Sequence, residues 1–229
     1  RNTFTLPKEA KGKKVLLLFE GAMSEPQVYL NGKKVGEWAY GYSYFYFDVS
    51  QFIQEGANTV VVKLSNKEFA SRWYPGAGLY RKVSVIIKNN ESIDQWGQFI
   101  TTPFISDAVA KVNIKTKASG ENTRLVTTIF DAEGHKVSAE ESSLRFGKEF
   151  DQNLKVENPK LWSPETPYLY KAVAQLYVGN ELKDEVATRF GIREIKYEAN
   201  KGFSLNGKVT KFKGVCLHHD LGPLGAAVN

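Results

Sequence analysis

The sequence is poor in cysteine, methionine and histidine, with one, one and three of these among 229 residues. Cys216 has no second cysteine to join, so an intrachain disulfide and a cysteine-based zinc cluster are both excluded. No uninterrupted apolar run reaches the roughly 20 residues that a membrane-spanning helix needs. We therefore expect no membrane partner. The compartment stays open between cytoplasm and periplasm, because disulfide-free proteins of both look alike.

Helical periodicity is nearly absent as well. The sequence instead contains short apolar or alternating runs, separated by turn residues, and 13% of its residues are aromatic, including 11 Tyr and 14 Phe. Aromatic and β-branched side chains pack well on pleated sheets. Long stretches of one charge are also missing: the net charge of +6 is dispersed, without a run of five or six basic residues. An all-β protein that does not bind nucleic acid is predicted.

The first block, residues 1–93, has the pattern of a small β-sandwich. Residues 27–36 are predicted to form a hairpin around Asn31-Gly32, because Asn-Gly supplies the positive φ angles of a two-residue turn. The segment from 66 to 81 has no strand pattern and is predicted to be a long structured loop. The remaining strands are predicted at residues 14–20, 44–49, 59–64 and 83–87.

The second block, residues 94–194, contains several short strands with turns every 8–12 residues, a pattern typical of an immunoglobulin-like sandwich. Without paired cysteines it is predicted to be the disulfide-free kind. Its strands are predicted at residues 112–116, 125–130, 139–146, 150–156, 168–178 and 182–190.

The third piece, residues 195–229, repeats the Asn-Gly hairpin at Asn206-Gly207. A buried strand is predicted at residues 211–217, and it leads to the polar cluster His218, His219 and Asp220. Adjacent histidines on a regular strand point to opposite faces and cannot serve one metal ion, so we expect a hydrogen-bonding histidine and no metal site. We expect this strand to open a further domain of a longer enzyme, and the first strand of the chain to be trimmed.

The segment from Ser71 to Arg81 combines two arginines, three aromatic residues and two glycines. Aromatic faces stack on sugar rings, and arginine supplies forked donors for hydroxyls or carboxylates. The alternative is a loop fixed by its own aromatic residues, with Gly76 and Gly78 present for their backbone angles. Composition alone favours this structural interpretation.

Catalytic motifs are not recognisable. The sequence has no phosphate-binding glycine loop and no nucleophile elbow. A retaining glycosidase needs two carboxylates about 5–5.5 Å apart, and no pair of acids here is placed to provide them. The 25 acidic residues are interpreted as surface charges.

Several segments, in order along the whole chain, resemble glycoside hydrolase family 2, in particular its β-galactosidase branch. The resemblance is carried by residues 1–7, 28–36 with 41–48, 71–81, 159–170 with 189–193, and 203–208 with 213–220. It implies a jelly-roll, galactose-binding-like domain (1–93), an immunoglobulin-like domain (94–194) and the start of a truncated (β/α)8 barrel (195–229).

The resemblance also implies a retaining β-glycosidase acting on a carbohydrate, most simply a β-galactoside. By analogy, His218 binds the sugar, Arg72 and Trp73 shape the rim of the pocket, and Asp220 adds a further substrate contact. The catalytic glutamates of the family lie on later barrel strands, so no catalytic residue is expected here. No cofactor is evident, and Mg²⁺ or Na⁺ would be bound by barrel residues outside this sequence. An oligomer is left open. The alternatives are a non-catalytic carbohydrate-binding module and a purely structural pair of sandwiches.

Overall fold

The computed structural model describes residues 1–66 and 76–216, whose regular secondary structure is almost entirely antiparallel β-sheet. The chain divides into two compact units, which meet in sequence between Lys88 and Asn89. Unit 1 is described over residues 1–66, 76–88 and 215–216, and unit 2 over residues 89–214. The all-β prediction is confirmed.

Unit 1 is a sandwich of two antiparallel sheets with strand orders β1-β6-β3-β4 and β5-β2-β7. Two 3-10 turns, Lys8–Ala10 and Ser50–Phe52, lie between strands. The strands are β1 (Asn2–Thr5), β2 (Lys14–Phe19), β3 (Gln27–Leu30), β4 (Lys33–Glu37), β5 (Phe45–Asp48), β6 (Ala57–Lys63) and β7 (Val83–Lys88).

The core of unit 1 is centred on β2, the middle strand of its sheet. Leu17 and Phe19 on this strand are buried, and the Phe19 ring stacks on Phe45 at 4.8 Å between centroids. Val28 and Leu30 cover this cluster from the other sheet and are fully buried. Each such side chain contributes roughly 1.5–3 kcal/mol by leaving water. The apolar residues that predict a strand at residues 14–20 are therefore those that form the core.

The β3–β4 hairpin turns at Asn31-Gly32, as predicted. Both residues have positive φ, 51° and 80°, which is the geometry that this dipeptide tolerates. The Asn31 side chain also donates to Oδ1 of the buried Asn58 at 2.8 Å and accepts from the Thr59 N–H at 2.9 Å. These bonds fasten the hairpin to β6, so the turn is held by side chains as well as by its own backbone.

Unit 2 is a second sandwich, with sheet orders β11-β10-β13-β14 and β12-β9-β8. Its two sheets enclose the unit's buried apolar clusters. The strands are β8 (Ser92–Ile105), β9 (Val109–Ser119), β10 (Thr123–Phe130), β11 (Lys136–Leu144), β12 (Glu149–Glu157), β13 (Tyr170–Val178) and β14 (Glu181–Phe190).

Burial alternates strictly along β9, β10 and β12 of unit 2. In β12 every second residue is buried, and in β13 the buried face carries Tyr170, Ala172, Ala174 and Leu176. The largest of the fully buried polar side chains is Gln152, whose Oε1 accepts a hydrogen bond from Thr127 Oγ1. Its Nε2 donates to the backbone oxygens of Leu125 and Glu140, at 3.3 and 3.2 Å. The buried amide is thereby satisfied.

The longest strand, β8, is missing from the sequence prediction. Its pairing with β9 is interrupted between Ile93 and Gln98 and again between Thr101 and Phe104. Trp96 in the first irregularity has a φ of 55°. Each interruption breaks the period-2 pattern on which recognition of a strand from sequence depends.

A small sheet follows, formed by β15 (Ile195–Glu198), β16 (Gly202–Leu205) and β17 (Lys208–Val209). It confirms the hairpin at Asn206-Gly207. The buried strand predicted at residues 211–217 is wrong over its described part: residues 211–216 form no strand and are exposed, Phe212 by 72% and Val215 by 94%. A strand needs a hydrogen-bonded neighbour, and these described residues pair with none.

Candidate functional site

The four substrate-binding residues predicted from the sequence lie outside the described residues. Arg72 and Trp73 belong to residues 67–75, and His218 and Asp220 belong to residues 217–229. Their roles stay predictions. The structure does describe the segment before the predicted loop at residues 66–81 and the last part of that loop, residues 76–81.

The last part of this predicted loop, residues 76–81, is fastened to the rest of unit 1 by hydrogen bonds. Gly78 and Met23 exchange two backbone bonds of 3.0 Å each, and the Tyr80 hydroxyl donates to the Gly41 carbonyl at 2.8 Å. Tyr80 packs so closely on Gly21 that an added Cβ there would lie 2.6 Å from the phenol oxygen. Burial raises the pKa of Tyr80, and the charge of Arg81 opposes this shift. The phenol therefore stays protonated and able to donate.

The segment before the loop is fastened nearby. The Ser65 N–H donates to the Ser24 carbonyl at 2.9 Å, and the Ser24 hydroxyl donates back to the Ser65 carbonyl at 2.6 Å. Ser24 follows Met23 directly, so both segments are held at neighbouring residues of the same strand entry.

An aromatic segment connects β4 to β5, and six of its nine residues from 38 to 46 are aromatic. Trp38 stacks on Phe45 with ring centroids 5.6 Å apart and planes inclined by 13°. Its indole Nε1–H donates to Ser43 Oγ at 2.9 Å. The ring is nevertheless 40% exposed. Trp38 is therefore an exposed aromatic ring whose orientation is fixed by its neighbours.

A cavity of about 400 Å³ lies beside Trp38 in unit 1. Lys63, Gln27 and Glu37 all line it, and they are direct cross-strand partners on β6, β3 and β4. Residues directly opposite in antiparallel strands point to the same face, so these three polar side chains form a row. The pKa of Glu37 is lowered, chiefly by a hydrogen bond of 2.7 Å from Lys34. Glu37 is therefore an ionised acceptor at neutral pH.

Sequence reasoning missed this cavity. Neither Glu37 nor Trp38 is among the predicted site residues. The density of aromatic residues after Glu37 is the sequence signal that could have indicated a binding surface there. The row of polar residues could not be found this way, because it depends on the register of three strands that are far apart in sequence.

The segment around Trp162, part of the family resemblance at residues 159–170, has a structural role in unit 2. The guanidinium of Arg193 lies 4.8 Å from the Trp162 ring centroid, and the Trp162 N–H donates to the Ile192 carbonyl at 2.8 Å. Asn206 Nδ2 donates to the Trp162 carbonyl at 3.0 Å, and Asn206 Oδ1 accepts from the Glu194 N–H at 2.9 Å. These contacts join the sandwich to the hairpin of β16 and β17.

The described residues bring no three His, Cys, Asp or Glu side chains together as metal ligands. His135 lies in the turn after β10, where its N–H donates to Asp131 Oδ1 at 2.7 Å, and its side chain is 78% exposed. His135 is therefore an exposed turn residue. The helices in this part of the chain are short turns, and none is long and apolar enough to cross a membrane.

Four carboxyl groups of the described residues, those of Glu37, Asp131, Glu133 and Glu165, have a lowered pKa. The chief cause is the Lys34 bond at Glu37, the Tyr168 hydroxyl at Glu133 and a backbone bond at Glu165. At Asp131 the bonds to His135 outweigh an opposing desolvation. A glycosidase acid instead needs a raised pKa.

Two family models match the chain. The model for the sugar binding domain of "Glycosyl hydrolases family 2" matches residues 1–96, and the model for "Glycosyl hydrolases family 2" matches residues 92–193. The first match covers residues 1–88 of unit 1 and extends into the first residues of β8 in unit 2. The second match lies within unit 2.

Individual relatives agree with these matches. "Beta-galactosidase BoGH2A" of Bacteroides ovatus is 38% identical over 240 residues, which cover 100% of this chain and 28% of that protein. A "Beta-glucuronidase" of Bacteroides fragilis is 30% identical and is aligned over 96% of this chain and 34% of its own length. The crystal structure of a glycosyl hydrolase family 2 member from Bacteroides cellulosilyticus superimposes with a TM-score of 0.91 at 32% identity, covering 99% of this chain and 31% of that one.

The chain thus spans about a third or less of the length of these relatives. The predicted order of a jelly-roll-like sandwich and an immunoglobulin-like sandwich is confirmed, whereas the described residues show no barrel strand. Two models of the same family together cover residues 1–193, and the structural match extends over nearly the whole chain. The chain belongs to glycosyl hydrolase family 2.

Proposed function

We propose that this chain is the non-catalytic amino-terminal part of a retaining β-glycosidase, and that the complete enzyme is a β-galactosidase. The observation that carries the proposal is the 38% identity to a β-galactosidase, which extends over all of this chain but only 28% of that protein. The relative therefore contains a large region for which this chain has no counterpart.

The carboxyl groups of the described residues support a non-catalytic part. Retaining glycosidases use one carboxyl group as acid and base and a second as nucleophile, and the acid has a raised pKa. Glu37, Asp131, Glu133 and Glu165 have lowered pKa values and accept hydrogen bonds. They are ionised at neutral pH and cannot supply a proton to a leaving group.

The proposed roles of the predicted site residues follow from the same assignment. His218 and Asp220 bind sugar hydroxyls, and Arg72 and Trp73 form the rim of the pocket. Residues 195–229 begin the catalytic domain in this proposal. The placement of His218 and Asp220 after a strand would fit such a domain, because barrel enzymes build their sites at the carboxyl ends of strands. The two glutamates that react belong to the region that this chain lacks.

A β-glucuronidase is the second candidate, and it is favoured by the 30% identity to the β-glucuronidase of Bacteroides fragilis. A galactoside is neutral, whereas a glucuronide carries a carboxylate. The two candidates therefore differ in whether the enzyme must provide a cationic partner for the sugar.

The test compares two proteins on two substrates. The complete product of the gene that encodes this chain is assayed with p-nitrophenyl β-galactoside and p-nitrophenyl β-glucuronide, and residues 1–229 alone serve as the matched control. We expect the complete product to hydrolyse the galactoside with retention of the anomeric configuration, and the chain alone to hydrolyse neither substrate.

Each other outcome has a definite meaning. Preferred hydrolysis of the glucuronide replaces the galactosidase by the second candidate. Turnover by residues 1–229 alone, lost on substitution of one of its own acids, contradicts the non-catalytic assignment. No hydrolysis by the complete product, together with sugar binding by the chain, favours a carbohydrate-binding module.

A further inference from the structure

We propose that the cavity beside Trp38 is a carbohydrate-binding pocket that takes one neutral pyranose ring or a disaccharide. The described residues that line it all belong to unit 1. The inference rests on the proposed function only for the class of ligand, and its geometry stands independently of where hydrolysis takes place.

Trp38 provides the apolar surface of the pocket. One side of its indole is covered by the nearly parallel ring of Phe45, whose centroid lies 5.6 Å away. The Nε1–H is already bonded to Ser43, so the ring offers the cavity its π-surface and not a polar donor. The axial C–H groups of a pyranose suit such a surface, because aromatic faces carry partial negative charge. The fixed orientation means that little freedom is lost on binding.

The row of Lys63, Gln27 and Glu37 provides the polar contacts. An ammonium group donates, a carboxylate accepts, and a side-chain amide does both. Sugar hydroxyls also donate and accept, and they are spaced around the ring so that neighbouring groups can meet neighbouring side chains. Glu37 remains ionised because its pKa is lowered, so it is a strong acceptor for a hydroxyl.

The charges that line the cavity favour a neutral sugar over a uronate. Two carboxylates, Glu25 and Glu37, and one ammonium group, Lys63, line the cavity. Lys34 offsets part of the charge of Glu37 through their hydrogen bond of 2.7 Å. A ligand carboxylate would approach these two lining carboxylates, and like charges placed close together oppose binding. The cavity volume, about 400 Å³, lies near the lower end of the range of about 300–1,000 Å³ for ligand pockets. Both properties fit a small neutral glycoside.

Backbone hydrogen bonds keep the walls of the cavity in place. The Trp38 N–H donates to the Pro26 carbonyl at 3.0 Å, which ties the aromatic segment to the entry of β3. The Ser65 N–H bond to Ser24 ties the exit of β6 to the same entry. The platform and the polar row are therefore positioned by one network before any ligand arrives.

The test is a titration of residues 1–229 with methyl β-galactopyranoside, followed by the indole N–H signals of the four tryptophans in a ¹H–¹⁵N spectrum. We expect the Trp38 signal to shift with a Kd on the order of 1 mM, which is reasonable for so small a ligand. Methyl β-glucuronide, tested in parallel, should bind at least about tenfold more weakly.

Three variants locate the site. Trp38→Ala should weaken binding at least about tenfold, and Glu37→Gln, which keeps the shape and removes the charge, about three- to tenfold. Tyr40→Ala is the matched control, because Tyr40 belongs to the same exposed aromatic segment but does not line the cavity. It should leave Kd within about twofold. Should Trp38→Ala fail to fold, Glu37→Gln and a fourth variant, Lys63→Met, replace it in the test.

The proposal is overturned if Trp38→Ala and Glu37→Gln bind with unchanged Kd, if the Tyr40 control weakens binding as much, or if the glucuronide binds better. The hydrolysis assay gives a separate answer. Hydrolysis without a shift at Trp38 contradicts this pocket alone, and a shift at Trp38 without hydrolysis contradicts the proposed enzyme alone.

Discussion

The two sandwiches use their residues differently. Unit 2 consists mainly of long strands, up to the 14 residues of β8, with strictly alternating burial in β12. Unit 1 has strands of 4 to 7 residues, and its connections carry the exposed aromatic segment and the cavity beside Trp38. Loops on a rigid scaffold are where binding residues concentrate. Unit 2 is accordingly the better scaffold, and unit 1 is the better candidate for recognition.

The same contrast holds for the buried amides. In unit 1, Asn58 Nδ2 donates to the carbonyls of Gln54 and Gly56, at 2.9 and 3.1 Å, so it stabilises the turn before β6. In unit 2, Gln152 bonds to residues of β10 and β11 and so stabilises strands. Buried polar groups thus fix a loop in one unit and the layering of sheets in the other.

The largest expected effect comes from removing the centre of the unit 1 core. Phe19→Ala deletes a fully buried ring stacked on Phe45 and should lower the free energy of unfolding by about 3–5 kcal/mol. Hydrogen exchange in moderate urea, followed at the amides of β2, measures the loss. Leu125→Ala is the control in unit 2 and should act on the amides of β10. Equal losses at both sets of amides from either substitution would contradict the separation of the two cores.

A smaller effect is expected from the buried pair in unit 2. Thr127→Val removes the hydroxyl that donates to Gln152 Oε1 and should cost about 1–3 kcal/mol of unfolding free energy, because the amide oxygen stays buried without that donor. The double variant Thr127→Val with Gln152→Leu should cost less than the sum of the two single variants. Urea unfolding of all four proteins completes the cycle. Simple additivity would show that the bond contributes nothing specific.

The smallest effect is on the ionisation of two tyrosines, one in each unit. Burial raises the pKa of both Tyr80 and Tyr170. The stability that each contributes is complete below the unfolded pKa of about 10 and is lost as the pH rises through the folded pKa. Tyr80→Phe and Tyr170→Phe should each remove one late-titrating phenol from the tyrosinate absorbance curve of the folded chain.

Salt separates the two tyrosines. At Tyr80 the charge of Arg81 is the main influence that lowers the pKa, and at Tyr170 it is the hydrogen bond from the backbone N–H of Lys160. Because salt screens exposed charges and leaves a direct hydrogen bond in place, added salt should raise the pKa of Tyr80 more than that of Tyr170. An equal response of the two phenols would show that the opposing causes are wrongly assigned.

Local patterns were sufficient to predict much of the fold. The apolar run in β2, the alternation in β13 and the two Asn-Gly turns each depend on neighbouring residues, and the structure shows each of them. Features that depend on distant partners were missed. The irregular pairing of β8 hides its period, and the row across β6, β3 and β4 exists only because of strand register.

The predicted strand at residues 211–217 was also decided by distant partners, because here a local strand pattern was present and, among the described residues, the pairing strand was not. Val215 and its apolar neighbours have suitable side chains, but β propensity becomes a strand only where another strand can pair with it. The site residues Arg72, Trp73, His218 and Asp220 came from family resemblance, and local physics alone did not select them.

The hydrogen bonds at Ser24 and Met23 have a consequence for how this family can vary. Ser65 and Gly78 are anchored to these two consecutive residues, so the twelve residues between the anchors leave and return at adjacent points. The chain-closure entropy of such an excursion grows only with the logarithm of its length, and doubling it costs about 0.6 kcal/mol. Insertions here would leave the sandwich almost as stable as before. Changes in what the protein recognises could therefore arise at this position with little loss of folding free energy.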